Sequence, residues 1–138
     1  MENISTEHLG RCIATLEKSL FHLKKSEVGS IEYEMFRNSL VKGFEITLEQ
    51  SGKLLKKKIT PYFPSKKAVD ELTFKDIFRY ANKHSLLDDE AVKCWFSYRD
   101  NRNSTAHDYG EAFAEETLEL AEMLIDDANA VRGMIDHD

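Results

Sequence analysis

The stretch IEYEMFRNSLVKGFEITLEQSGKLLKK, residues 31–57, decides the fold. Tyr33, Phe36, Leu40, Phe44, Leu48 and Leu55 recur with the 3.6-residue period of an α-helix, and charged side chains fill much of the opposite face. A helix of that length runs about 40 Å and cannot bury its apolar stripe on its own. It needs other amphipathic helices, and the flanking sequence supplies them. Gly52, late in the helix, is a mild local weakness.

Before this stretch, Leu9, Cys12/Ile13, Leu16, Leu20 and Leu23 predict a first helix over roughly residues 5–25. Glu27-Val28-Gly29-Ser30 breaks the pattern, and Ser30 is placed to cap the long helix. After it, Thr60-Pro61-Tyr62-Phe63-Pro64-Ser65 stops the long helix, because neither proline can continue it. A linker of about 15 residues follows. Thr73-x-x-Asp76 resembles a capping box, and Phe74, Ile77, Phe78 and Ala81 predict a short third helix behind it. Asp88 is a good N-cap for a fourth helix with an apolar face of Ala91/Val92, Trp95 and Tyr98. Phe113, Thr117, Leu120/Ala121, Leu124, Ala128 and Val131 mark a last helix. With no strand pattern or repeat, residues 1–138 read as one all-α domain, an antiparallel up-and-down bundle of about five helices.

Composition sets the outer bounds. The 138 residues are 41% hydrophobic and 32% charged, with only two prolines and six glycines, as expected of a soluble helical protein. No apolar run approaches the length of a membrane span, and the N-terminus has no basic segment leading into an apolar one. The expected location is the cytoplasm. Cys12 and Cys94 read as small core residues in a reducing compartment rather than a disulfide. The net charge of −6 argues against indiscriminate nucleic-acid binding, but it is unevenly spread: residues 53–83 are formally +6 and residues 100–138 formally −9. The lysines of 53–67 are either a solvated helix end and loop or an electrostatic rim that collects RNA backbone.

The chemistry-bearing residues gather in Tyr98-Arg99-Asp100-Asn101-Arg102-Asn103-Ser104-Thr105-Ala106-His107-Asp108-Tyr109-Gly110, between the last two predicted helices. Asn, Ser, Thr, Asp and Gly are common at any helix end. On a regular helix, Arg102 and His107 point about 140° apart, so meeting at one substrate requires a fray or bend near Ser104–Ala106, or a cleft completed by a second subunit. The remaining histidines, His8, His22, His84 and His137, are scattered and read as surface or helix-packing residues. No metal-ligand spacing such as His-Glu-x-x-His occurs, and no cofactor is expected.

Arg102-Asn103-x-x-x-His107-x-Tyr109 resembles the Arg-x4-His-x-Tyr motif of the HepT branch of the HEPN superfamily, also known as nucleotidyltransferase substrate-binding proteins. Phe44-Glu45-Ile46-Thr47-Leu48-Glu49 is similar to that family's second-helix signature, Ala81 through Asp89 to its third-to-fourth helix connection, and Glu111 to its acidic residue after the tyrosine. The likeness spans about residues 9–132. Two positions depart from it: Gly52 stands where members often carry Trp, and Gly110 where they often carry Asp.

The resemblance implies a metal-independent endoribonuclease toxin. His107 exchanges protons near neutral pH, and Arg102 presents a planar cationic fork to phosphate. Asn103 and Tyr109 have supporting or substrate-binding roles. The implied partners are a second copy of the chain, an RNA substrate, and a minimal nucleotidyltransferase antitoxin that silences the toxin by transferring AMP to Tyr109. An alternative is a non-catalytic subunit that binds substrate or nucleotide for a nucleotidyltransferase. A third is a purely structural dimerisation domain.

Overall fold

The computed structural model describes the backbone of residues 4–105 and 111–137, and the side chains of 4–101 and 116–137. Six α-helices follow in chain order: α1 (Glu7–Lys25), α2 (Ile31–Ile59), α3 (Lys66–Asp70), α4 (Phe74–Lys83), α5 (Asp89–Thr105) and α6 (Glu111–Asp136). No strand occurs among the described residues. The chain is an all-α helical bundle. The segment expected to be plain linker instead holds a 3-10 turn, Thr60–Tyr62, and the short helix α3, whose Ser65 side chain accepts the Ala68 N–H.

The helix boundaries follow from local chemistry. The Ser30 hydroxyl accepts the Tyr33 N–H at 3.0 Å and starts α2. Thr73 and Asp76 form a full reciprocal capping box at the start of α4, with both bonds at 3.1 Å. Asp88 accepts the Ala91 N–H at 2.8 Å ahead of α5. Asn82 stitches the α4–α5 connection, donating to the Leu87 carbonyl at 3.0 Å and to Asp89 at 2.9 Å. Within that connection Ser85 is left-handed, φ 62°, and the Leu86 N–H closes onto the Ala81 carbonyl.

Most of the expected core is buried, but Tyr33, Phe36 and Phe74 are only half-buried, and Leu54, Ile59 and Val69 join it. Leu9, Leu16, Leu23, Leu40, Leu48, Leu55, Phe78, Trp95, Tyr98, Leu124 and Val131 are all fully buried. α1, α2 and α6 pack on one another, α4 lies against α2 and α5, and α5 lies against α6. α1 and α2 run antiparallel, with Ser19 bonded to Ser39 at 2.7 Å and Leu16 against Gly43. Each buried leucine adds roughly 1.5–3 kcal/mol through apolar area removed from water, which lets helices with many charges dock firmly. Cys12 is buried, Cys94 half-buried, and both are free thiols.

Gly52 has a packing reason. A Cβ there would lie 2.9 Å from the Phe74 ring, so the edge of Phe74 occupies the space a side chain would need. The expected weak point is thus a place where α4 packs tightly against α2.

Candidate active site

α5 carries the first half of the motif. Its buried stripe runs through Trp95 and Tyr98 to Asn101, at steps of three residues. Trp95 stacks on Phe78 with ring centroids 4.9 Å apart and meets Tyr98 edge-to-face. Tyr98 in turn meets Phe44 of α2 edge-to-face. These contacts set the rotation of α5 about its own axis.

Two polar tethers then fix its far end to α6. The buried Tyr98 donates its phenolic proton to Asp127. Burial pushes the Tyr98 phenol well above its ordinary range, and the Asp127 carboxylate beside it pushes the same way. Burial also raises Asp127, although the bond from Tyr98 works against the rise. One turn on, Asn101 is buried and bonds Thr117 at 3.4 Å. The segment beginning at Tyr98, read from sequence as a connection, is therefore helical through Thr105. Polar residues that compete with helix elsewhere are satisfied sideways here, by α6.

Arg102 and Asn103 lie within α5, in the turn after Asn101. By helical register Arg102 follows Trp95 by seven residues, and Asn103 follows Phe96 by seven and Arg99 by four. Their side chains, and all of His107 and Tyr109, lie outside the described residues, as does the bend expected near Ser104–Ala106 beyond the helical Thr105.

Sequence reading missed the surface that leads to this turn. Lys75 and Arg79 of α4 both stand over the Phe96 ring of α5, each 5.1 Å from its centroid. Reciprocally, Arg99 of α5 stands 5.0 Å over the Phe74 ring of α4. Lys75 also bonds Asp100 at 2.8 Å, and Arg79 bonds Asp76 at 3.1 Å. The one available signal was Phe96, an aromatic off the apolar stripe of its helix. The lysine-rich stretch looks different in three dimensions: Lys56 is paired with Asp70 at 2.7 Å, while Lys53, Lys57, Lys66 and Lys67 are exposed.

Of the other histidines, three lie against a neighbouring side chain, and His137 is exposed. His22 stacks on Phe36, His84 stacks on Tyr62 and His8 lies 3.8 Å from the Cys12 sulfur. Among the described residues no group of three or more His, Cys, Asp or Glu is arranged to hold a metal ion. No described helix is long and apolar enough to cross a membrane.

Residues 5–133 match the family described as nucleotidyltransferase substrate binding protein like. Among curated proteins, the chain is 25% identical over 114 residues to the probable ribonuclease HepT of Haemophilus influenzae, covering 80% of this chain and 77% of that one. Two solved structures share the fold. One is a Haemophilus influenzae protein described as revealing the fold of a substrate binding domain of a nucleotidyltransferase, with TM-score 0.80, 21% identity, and coverage of 96% of this chain and 99% of the other. The other is a Thermus thermophilus protein, with TM-score 0.73, 24% identity, and coverage of 92% and 98%.

Proposed function

Because this chain belongs to the nucleotidyltransferase substrate-binding-protein-like family, we propose that it is an endoribonuclease toxin whose activity a partner nucleotidyltransferase switches off. The observation that carries the reading is the match over residues 5–133 together with the sequence Arg102-Asn103-x-x-x-His107-x-Tyr109, whose first two residues lie in α5. Similarity to a probable ribonuclease supports the same reading.

The chemistry suits RNA, which carries its own nucleophile. His107 takes the proton of the 2′-hydroxyl as that oxygen attacks the adjacent phosphorus. The bond to the 5′-oxygen breaks, and the departing oxygen receives a proton from solvent or the imidazolium. Arg102 binds the phosphate oxygens on which charge builds. Asn103 orients the phosphate or the imidazole, and Tyr109 contacts base or phosphate. Arg102 lies in α5, and a homodimer that joins two motif segments in one groove would bring Arg102 and His107 to one substrate. AMP transferred to the Tyr109 hydroxyl places a phosphate where the substrate's would sit, which silences the enzyme. The cell compartment that suits this activity is the cytoplasm.

A second reading has its own support. The family description and the Haemophilus influenzae fold relative both speak of substrate binding for a nucleotidyltransferase. In that case the motif binds a nucleotide and the chemistry belongs to the partner. Purified protein incubated with RNA, with DNA of the same sequence, and with 2′-O-methyl RNA separates the two. The nuclease reading expects cleavage of RNA alone, lost in His107→Ala and Arg102→Ala. Intact RNA with the wild-type protein, together with nucleotide binding, rejects it in favour of the second.

A further inference from the structure

We propose that the α4–α5 face formed by Lys75, Arg79, Phe96 and Arg99 is a binding track for the sugar-phosphate backbone of single-stranded RNA, delivering the strand to the motif turn of α5. The proposal rests on the nuclease reading above. The track itself is read from the geometry of α4 and α5.

The two helices brace each other through cation–ring contacts in both directions: Lys75 and Arg79 over Phe96, and Arg99 over Phe74. Such contacts hold long side chains in place before any ligand arrives, so less freedom is lost on binding phosphate. Lys75 and Arg79 are four residues apart, one above the other on α4, and their cationic groups converge on the Phe96 ring, so the face presents two positive charges to one stretch of backbone. Phe96 is only half-buried, which leaves ring edge for a base or sugar between the cations.

The direction of the track follows from register. Phe96, Arg99 and Asn103 stand at i, i+3 and i+7 on α5, one stripe of the helix, with Arg102 beside its end. A strand lying over Phe96 and Arg99 therefore continues onto the motif turn. The counter-charges suit exchange. Lys75 is paired with Asp100 and Arg79 with Asp76, and both pairs are solvent-accessible, with the Asp100 side chain 62% exposed. Exposed pairs of this kind are weak, and an RNA phosphate can replace the carboxylate.

The test uses the whole protein and a fluorescein-labelled 2′-O-methyl RNA strand of mixed sequence, with binding followed by anisotropy across a salt series. Cleavage of unmodified RNA is measured in parallel. Lys75→Gln, Arg79→Gln and Arg99→Gln keep most of each stem over its ring while removing the charge. Each is expected to weaken binding about fivefold near 0.1 M salt and to lower the log–log salt slope by about 0.7, the value for one single-strand phosphate contact. Asp100→Asn is expected to tighten binding several-fold, and Lys18→Gln, exposed on α1, to leave it unchanged.

The track is overturned if the triple variant, folded by circular dichroism, binds with the wild-type affinity and slope. It is equally overturned if Asp100→Asn fails to tighten binding, or if Lys18→Gln weakens it as much as the track variants do. Wild-type cleavage with an unaffected triple variant removes the track and keeps the nuclease. Binding through these residues without cleavage keeps the track and removes the nuclease, and absence of RNA binding removes both.

Discussion

Replacing Tyr98 by Phe removes one hydroxyl and tests how α5 is held. The ring is fully buried and its proton goes to Asp127 of α6. A hydrogen bond to a charged partner contributes about 1.5–3 kcal/mol, and removing the donor strands its acceptor. Asp127 is only half-buried, so water takes over part of the lost bond, and the expected cost falls to about 1–2 kcal/mol. With a urea m-value of about 2 kcal/mol/M, the midpoint drops by about 0.5–1 M with unchanged m. Asp127→Asn keeps an acceptor and removes the charge whose burial is costly, so its loss is smaller than that of Tyr98→Phe. The pH dependence follows from the direction of the shift. Burial raises the folded-state pKa of Asp127, so its favourable contribution is complete below the ordinary carboxylate range and is lost as pH rises through the folded value. Asp127→Asn should therefore gain on the wild type as pH rises from about 3 to 7 in urea melts. A Tyr98→Phe midpoint equal to wild type, or an Asp127→Asn loss exceeding that of Tyr98→Phe, would refute the argument that this pair tethers α5.

Four further outcomes are expected. Ser85→Gly relieves a left-handed backbone and should stabilise by about 1 kcal/mol in urea melts, whereas Ser85→Val should cost more than that. Gly43→Ala places its methyl at an ordinary 3.5 Å from Leu16 and should gain about 0.5–1 kcal/mol, while Gly52→Ala strikes Phe74 at 2.9 Å and should gain nothing or lose about 1 kcal/mol; thermal melts of the two side by side decide it. Asp70 is held below its ordinary pKa chiefly by its bond from Lys56, so its stabilising contribution is lost as pH falls through the lowered value, and Asp70→Asn should flatten the acid limb of a pH–stability curve. Incubation with a cognate nucleotidyltransferase and ATP should add AMP to Tyr109, read by intact mass and peptide mapping, and Tyr109→Phe should block the addition.

Legibility tracked the physics of each element. The stripe from Tyr33 to Leu55 announced α2 because its burial is periodic, and Thr73/Asp76 announced the start of α4 because capping is local. The helical path past Tyr98 was not legible. It depends on Asp127 and Thr117, residues far along the chain that absorb the polar groups of Tyr98 and Asn101. The short helix α3 was hidden between prolines and lysines, with only Val69 buried to hold it. Arg102, Asn103, His107 and Tyr109 are candidates by motif alone, and for Arg102 and Asn103 the fold adds an address on α5. Lys75, Arg79 and Arg99 were invisible as a group because helix pairing, not spacing, assembles them.

The tethers at Tyr98 and Asn101 also bear on how this chain can change over time. They fasten α5 to α6 up to the residue before the motif begins. On the nuclease reading, substitutions at Arg102 or His107 abolish the activity while leaving these two tethers intact. Substitutions at Tyr98 or Asn101 act instead on stability, through the bonds to Asp127 and Thr117. On the proposed toxin reading, a selection for escape should return motif alleles with unchanged protein abundance alongside alleles at buried positions such as Tyr98 with reduced abundance.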